Sequence, residues 1–338
     1  MNTSAPPANL AEAERWVLAM QTKLHQWAKD DPVRRFDDLA NLVYHPAFLH
    51  VAWNRVRSNK GARTAGVDKI TPRSITPDAT RHLSELRDQL KARQFKPQPV
   101  RHVRIPKASG KTRALGIPTT HDRIVQASLK LVLEPIFEAD FHPCSYGFRP
   151  KRRAQDAIAQ IHYLTTRSYQ WVFEGDILTA DGHMTGTITG TPQGGFLSPL
   201  LANIALSSLD QHFTQKWEAL GPCWKRASKR RAGEPTMRLI RYADDLVILA
   251  SGTREHAQAL WDEVTTVLAP MGLRLSREKT SSVTRCGCDV GRAISCTRPP
   301  ESDTSEGASS RCPQRVVRSM LLSRPVPSCS RYSSGTCL

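Results

Sequence analysis

The chain has 338 residues, with 48 Lys and Arg against 31 Asp and Glu and a formal net charge of +17. That length allows one large or two ordinary domains, and that charge points to a polyanionic partner, either nucleic acid or an anionic surface. No apolar run approaches the roughly 20 residues of a transmembrane helix, and Met1-Asn2-Thr3-Ser4-Ala5-Pro6-Pro7 lacks the basic-then-apolar order of a signal peptide. The expectation is therefore nucleic acid rather than membrane, and cytoplasm rather than export.

Leu10, Ala13, Val17, Met20, Leu24 and Trp27 recur at spacings of three and four, which predicts an amphipathic helix over residues 10–27. Ser58 to Asp68 reads as a basic loop containing Gly61 and Gly66, and Leu83, Leu86 and Leu90 predict a second helix. Arg101 to Gly116 alternates basic and apolar residues around Pro106 and Gly110, the pattern of a basic hairpin. Thr119 and Asp122 then have the form of a capping box. They open a helix with Val125, Leu129, Val132, Leu133, Ile136 and Phe137 on one face. Trp171-Val172-Phe173 is an apolar approach to Gly175-Asp176. Ser198-Pro199 reads as an N-cap followed by proline at the first helical position, with Leu201, Ile204, Ala205 and Leu209 continuing the helix.

Met237-Arg238-Leu239-Ile240 and Leu246-Val247-Ile248-Leu249 are too short for helices. They flank Arg241-Tyr242-Ala243-Asp244-Asp245, which predicts a β-hairpin with two carboxylates at its tip. Adjacent carboxylates repel unless a cation sits beside them. Asp is a favoured turn residue, so the pair alone is compatible with a solvated turn. The apolar flanks favour a metal. Mg²⁺ takes oxygen ligands and is usually held by one or two carboxylates plus substrate phosphates. Two such ions about 4 Å apart serve an in-line phosphoryl displacement. Thr253 begins a further helix, with Ala257, Leu260, Trp261, Val264, Val267, Leu268 and Met271 inward and Gly272 as its stop.

After Thr280 the texture changes. Residues 281–338 hold thirteen Ser, eight Arg, no Lys and one aromatic, Tyr332, and their charge of +4 leaves +13 for the body. The body's charge concentrates in Arg55–Lys69 and Lys91–Lys111. Six of the eight cysteines (Cys286, Cys288, Cys296, Cys312, Cys329 and Cys337) lie in the tail without a Cys-x2-Cys pair or a histidine, so zinc is not indicated. Such a tail buries too little apolar surface to offset its ordering entropy.

The motifs converge on one family. Arg104-Ile105-Pro106-Lys107 through Arg113-Ala114-Leu115-Gly116-Ile117-Pro118, with Asp122-Arg123-Ile124-Val125-Gln126, resembles the first reverse-transcriptase block of bacterial group II intron-encoded proteins. Ser145-Tyr146-Gly147-Phe148-Arg149-Pro150 resembles the second and Gly175-Asp176-Ile177 the start of the third. Thr191-Pro192-Gln193-Gly194-Gly195 with Ser198-Pro199-Leu200-Leu201-Ala202-Asn203 resembles the fourth, and Tyr242-Ala243-Asp244-Asp245 the fifth. Gly272-Leu273 with Glu278-Lys279-Thr280 resembles the sixth. Asn59-Lys60-Gly61 with Ala65-Gly66-Val67-Asp68 resembles an extra upstream block. Coverage is roughly residues 10–280.

The resemblance implies an α+β, right-hand fingers-and-palm fold. Residues 1–98 would form a helical N-terminal region with a basic RNA-binding loop, 99–280 the fingers and palm, and 281–338 a low-complexity tail, disordered or out of frame. It implies RNA-templated DNA synthesis and a maturase role, with an intron RNA template, a DNA primer and dNTPs as partners and no membrane. By motif match, Asp176, Asp244 and Asp245 are the catalytic carboxylates, with Asp176 and Asp244 holding two Mg²⁺ ions. Lys107 and Arg113 meet the incoming triphosphate, Gln193 and Gly194 line the nucleotide pocket, and Lys279 sits near the primer terminus. Tyr146 and Phe148 are expected in the fingers core, and the histidines, His183 included, are not catalytic.

The chain departs from the family pattern twice. Between Ile177 and Thr191 only Leu178 to Gly190 intervenes, so an aromatic turn and a helix are missing and the palm is incomplete. Asp181 does not read as a substitute ligand. After Thr280 neither a last palm strand nor a thumb is recognisable. The alternative to an active polymerase is therefore a catalytically inactive RNA-binding maturase remnant, or a pseudogene product.

Overall fold

Asn9 opens the first helix, α1 (Leu10–Asp30): its side-chain oxygen accepts the Glu12 N–H at 2.9 Å, satisfying one of the amides that a helix start leaves without an intrahelical partner. Ala13, Val17, Leu24 and Ala28 line its buried face. Trp27, expected inward, is instead part-exposed, with the Arg34 guanidinium 5.1 Å from its ring centroid. The structure is a computed structural model that describes residues 7, 9–106, 112–179, 195–277 and 280–285. The chain divides into two units, one from residues 1–143 with 181–208, the other from 144–180 with 209–338.

In the first unit α1 is followed by α2 (Ala40–Val43), α3 (Pro46–Ser58), α4 (Pro72–Ile75), α5 (Ala79–Lys91), the strands β1 (Arg101–Pro106) and β2 (Thr112–Ile117), and α6 (Thr120–Glu138). Helices α1, α3 and α6 share one core, in which Val17, Phe48, Ala52, Leu131 and Val132 are buried. Strands β1 and β2 form the expected basic hairpin, Arg101 opposite Ile117 and Ile105 opposite Arg113. Thr119 caps α6: its hydroxyl accepts the Asp122 N–H at 3.2 Å and donates to the Asp122 carboxylate at 2.6 Å. The basic loop after α3 is held from α6, because Arg123 donates to the carbonyls of Pro118, Gly61 and Thr64 at 2.9, 3.1 and 2.8 Å. A Cβ on Gly66 would lie 2.7 Å from the Thr119 Cα, so only glycine fits there.

The second unit holds α7 (Ala154–Thr165) and β3 (Trp171–Thr179). Helix α8 (Ser198–Ala219) contributes residues to both units. Then follow α9 (Cys223–Arg231), β4 (Met237–Tyr242), β5 (Asp245–Ala250), α10 (Arg254–Gln258), α11 (Leu260–Leu268), β6 (Leu273–Leu275) and β7 (Ser281–Arg285). Ser198, expected as a cap, is the first residue of α8 itself, and the Leu200 and Leu201 amides bond to the Leu197 carbonyl. The helix expected from Thr253 is interrupted at Ala259 and closes in a 3-10 turn, which Gly272 ends with φ +66°.

The sheet of this unit is antiparallel, in the order β4-β5-β3, with β6 and β7 both on the far edge of β3. Partners on both edges bury β3 from Val172 to Ile177. Strand β7 corrects the sequence reading, which finds no strand after Thr280. Trp171 pairs with Arg285 and Glu174 with Ser281, across a bulge. Ser281-Ser282-Val283-Thr284-Arg285 carries one apolar residue, so a pairing made by backbone leaves no hydrophobic pattern to read. No helix among the described residues is long and apolar enough to cross a membrane.

Candidate active site

Tyr242 and Asp245 close the β4–β5 hairpin in register, leaving Ala243 and Asp244 as its two-residue loop. Ala243 has φ +59°, at the loop position where hairpins of this length often require glycine. A non-glycine residue there needs support from outside, and the structure supplies it from two directions.

The first support is the segment Cys144 to Gly147. The Cys144 carbonyl accepts the Arg241 N–H and the Arg241 carbonyl accepts the Tyr146 N–H, both at 2.8 Å. Gly147 then lies against the turn so closely that a Cβ would sit 2.3 Å from the Ala243 nitrogen. The chain turns immediately afterwards, at Phe148 with φ +56°, which carries that side chain outward. Phe148, expected in the core, is thus 49% exposed, whereas Tyr146 is buried with Ala157, Tyr169 and Val172.

The second support is Arg241. Its Nε and Nη2 donate to the two carboxylate oxygens of Asp210 on α8, at 2.8 and 2.5 Å. Its Nη1 donates to the Ala243 carbonyl at 2.9 Å, and Nη2 also donates to the Ser145 hydroxyl at 2.8 Å. Both charged side chains are fully buried. Sequence reasoning missed this pair. The signal was Arg241 itself, an arginine following Leu239-Ile240 in a strand and three residues before Asp244. Beside it, burial pushes the Cys144 thiol up to about 12, the Asp210 carboxylate adding to the rise and Arg241 opposing it.

Asp176, on β3, is directly opposite Asp245, the first residue of β5. Residues opposite one another in an antiparallel pair have Cα atoms about 4.5–5.5 Å apart and share a face. The Ile177 N–H donates to the Asp244 carbonyl at 3.0 Å, tying the turn to β3. Asp176 is buried, Asp245 half-buried and Asp244 exposed. The backbone therefore gathers all three aspartates at one end of the β3–β5–β4 ladder. Among the described residues no three His, Cys, Asp or Glu side chains converge as a ready-made metal cage. The donors present are carboxylates, hard ligands that suit Mg²⁺, an ion which completes its shell with water and substrate phosphates. The donor set fits that ion.

Arg113 lies on β2 opposite Ile105. Lys107, Gln193, Gly194 and Lys279 fall outside the described residues, as do Asp181 and His183.

A family model described as reverse transcriptase (RNA-dependent DNA polymerase) matches residues 178–309. That span opens just after Asp176, takes in Asp244 and Asp245 and runs past Thr280. The chain is 33% identical over 319 positions to protein YkfC of Escherichia coli (strain K12), covering 78% of this chain and 84% of that protein. It is 28% identical over 348 positions to the group II intron-encoded protein LtrA of Lactococcus lactis subsp. cremoris, covering 78% of this chain and 57% of LtrA. It is 25% identical to the putative COX1/OXI3 intron 1 protein of Saccharomyces cerevisiae (strain ATCC 204508 / S288c), covering 72% of this chain and 37% of that protein. The chain thus spans most of YkfC but little more than half of LtrA. The described residues form a mixed α+β fold with an acidic hairpin at one end of its sheet. The chain belongs to the group II intron reverse transcriptase/maturase family.

Proposed function

We propose that this chain is a group II intron RNA-directed DNA polymerase with a maturase role, built as fingers and an incomplete palm, whose polymerase activity is weakened or lost. The observation that carries the polymerase assignment is the register that sets Asp176 opposite Asp245, with Asp244 in the adjoining turn. In this reading Asp176 and Asp244 hold two Mg²⁺ ions, and Asp245 adds negative charge beside them. Bound Mg²⁺ would lower the pKa of the primer 3′-hydroxyl and offset charge on the triphosphate. Lys107, Arg113, Gln193, Gly194 and Lys279 take the incoming nucleotide by motif match. Arg241 and Asp210 aim the turn.

Weakened activity rests on missing chain. The YkfC match runs over 319 positions while covering 78% of 338 residues, so that relative carries residues within the matched span that this chain lacks. The short interval from Leu178 to Gly190 is where we place the loss. Misplacing a reacting group by about 1 Å costs on the order of a hundredfold in rate. The same loss leaves the charge of +17 in place, which favours retained RNA binding. A primer-extension assay with poly(rA)/oligo(dT), Mg²⁺ and dTTP, with Asp244→Asn as control, tests the reading. Feeble extension that Asp244→Asn abolishes is the expected result. Robust extension abolished by the same change would refute the weakening but keep the polymerase, and extension indifferent to Asp244 would refute the site.

A further inference from the structure

Helix α9 is a cationic surface that the fold uses only in part. Five of its nine residues are basic (Lys225, Arg226, Lys229, Arg230 and Arg231) and none of the nine is buried. Lys229, Arg230 and Arg231 stand in the last turn, where cations complement the helix dipole. Lys225 and Arg226 stand near the start of the helix, against the dipole, and its first turn holds no acidic residue. Some of this charge has a packing role. The Arg226 and Arg238 guanidinium groups lie 4.3 and 4.5 Å from the Trp217 ring centroid, Arg230 lies 5.5 Å from that of Tyr169, and Lys229 pairs with Glu234 at 2.5 Å. That pair is the one ion pair the helix makes among the described residues. Packing leaves Lys225, Arg231 and above all Trp224 unexplained. Trp224 is 68% exposed at the start of the helix, with the Lys225 ammonium 5.5 Å from its ring centroid. A merely solvated basic face does not need an indole held in water.

We infer that α9 is an RNA-contacting surface, on which Lys225 and Arg231 meet phosphates and Trp224 stacks an unpaired base. Cationic side chains beside an open aromatic ring are the combination single-stranded nucleic acid recognition uses: phosphates bind the charges and any base can lie on the ring. The surface is distinct from Arg55–Lys69 and Lys91–Lys111, the segments that charge density alone singles out. The inference rests on the RNA-binding reading of the family.

The test titrates the full-length chain with a fluorescein-labelled RNA stem–loop at several KCl concentrations. It compares the Lys225→Gln/Arg231→Gln double variant, Trp224→Ala, and a control triple Arg15→Gln/Lys23→Gln/Lys29→Gln on α1, with far-UV circular dichroism confirming each fold. Each lost phosphate contact removes about 0.7–0.9 from the slope of log affinity against log salt, so the α9 double flattens it by about 1.5. Trp224→Ala weakens binding on the order of tenfold, the scale of one lost stacked base. A 5-iodouridine RNA crosslinks to Trp224, and the α1 triple changes the slope little. Wild-type binding that both α9 variants leave intact, or that the α1 triple flattens equally, overturns the α9 surface but not RNA binding. A wild-type chain that does not bind RNA overturns both. Variants that lose phosphatidylglycerol vesicles but keep RNA overturn it in favour of a membrane surface.

Discussion

Arg241 and Asp210 form a bidentate ion pair with both side chains fully buried, and the same arginine donates to the Ala243 carbonyl in the acidic turn. Desolvating two charges offsets most of what their attraction supplies. The pair is therefore poorly explained as a source of stability and well explained as a clamp, since a planar guanidinium fixes angles as well as distance.

Asp210→Ala leaves the guanidinium buried without its carboxylate and lowers the unfolding free energy by about 3–5 kcal/mol. Combining it with Arg241→Met recovers part of that loss, because no uncompensated charge remains. Urea denaturation of the singles and the double measures the coupling. A double variant as unstable as the sum of the singles would show the two residues to be independent.

Gly147→Ala places a methyl group 2.3 Å from the Ala243 nitrogen, where backbone must move. The expected cost is about 1–3 kcal/mol, the range of overpacked sites, and the displacement falls on the turn that carries Asp244. Thermal unfolding of Gly147→Ala beside Gly61→Ala reads it, since a Cβ at Gly61 meets only the Asn59 side chain at 3.9 Å. Equal melting temperatures would refute the close approach.

Cys144 and Cys223 should differ in reactivity. Burial, reinforced by Asp210, holds the Cys144 group as a thiol up to about pH 12, and the thiolate is the reactive form. Cys223 is exposed. Brief treatment with iodoacetamide at pH 8, followed by peptide mass mapping, should find Cys223 alkylated and Cys144 protected, with both modified in guanidinium. Early modification of Cys144 in the folded protein would contradict its burial.

Glu263 gives a pH dependence. Burial raises its pKa, but hydrogen bonds from Lys216 at 2.6 Å and His212 at 2.8 Å, with their charges, outweigh burial and hold it below the usual value of 4.5. A carboxylate with a depressed folded pKa stabilises above its unfolded pKa, and that stability is lost as pH falls through the folded pKa. Glu263→Gln should cost about 0.5–1 kcal/mol at pH 7, a value kept small because the Lys216 side chain is about half exposed. The difference should shrink below pH 4.5. Denaturation of both proteins at pH 7 and pH 3 decides it, and a gap that widens in acid would reverse the sign.

The parts of this fold that declare themselves in sequence are those whose side chains carry the energetics. Val17 and Leu24 mark α1 because burial selects them, and Thr119 marks the start of α6 because a hydroxyl must meet free amides. The acidic turn stands out because Asp244 and Asp245 interrupt two apolar runs. Backbone-driven features leave no such trace. Strand β7 is held by amides and carbonyls, and Gly147 reveals its role only when Ala243 is found against it. The Arg241–Asp210 pair joins residues 31 positions apart, a separation at which no periodic pattern operates.

Strand β3 has a ladder on each edge, with β5 on one side and β6 and β7 on the other. Amides in such an internal strand exchange with deuterium only when the whole sheet opens, whereas flanking loops open alone. The order of loss follows. The flanking loops open first, and the alignment of Asp176 with Asp245 is among the last things to go. The acidic cluster is thus anchored on the most protected strand of the sheet, while the loops around it are free to open on their own.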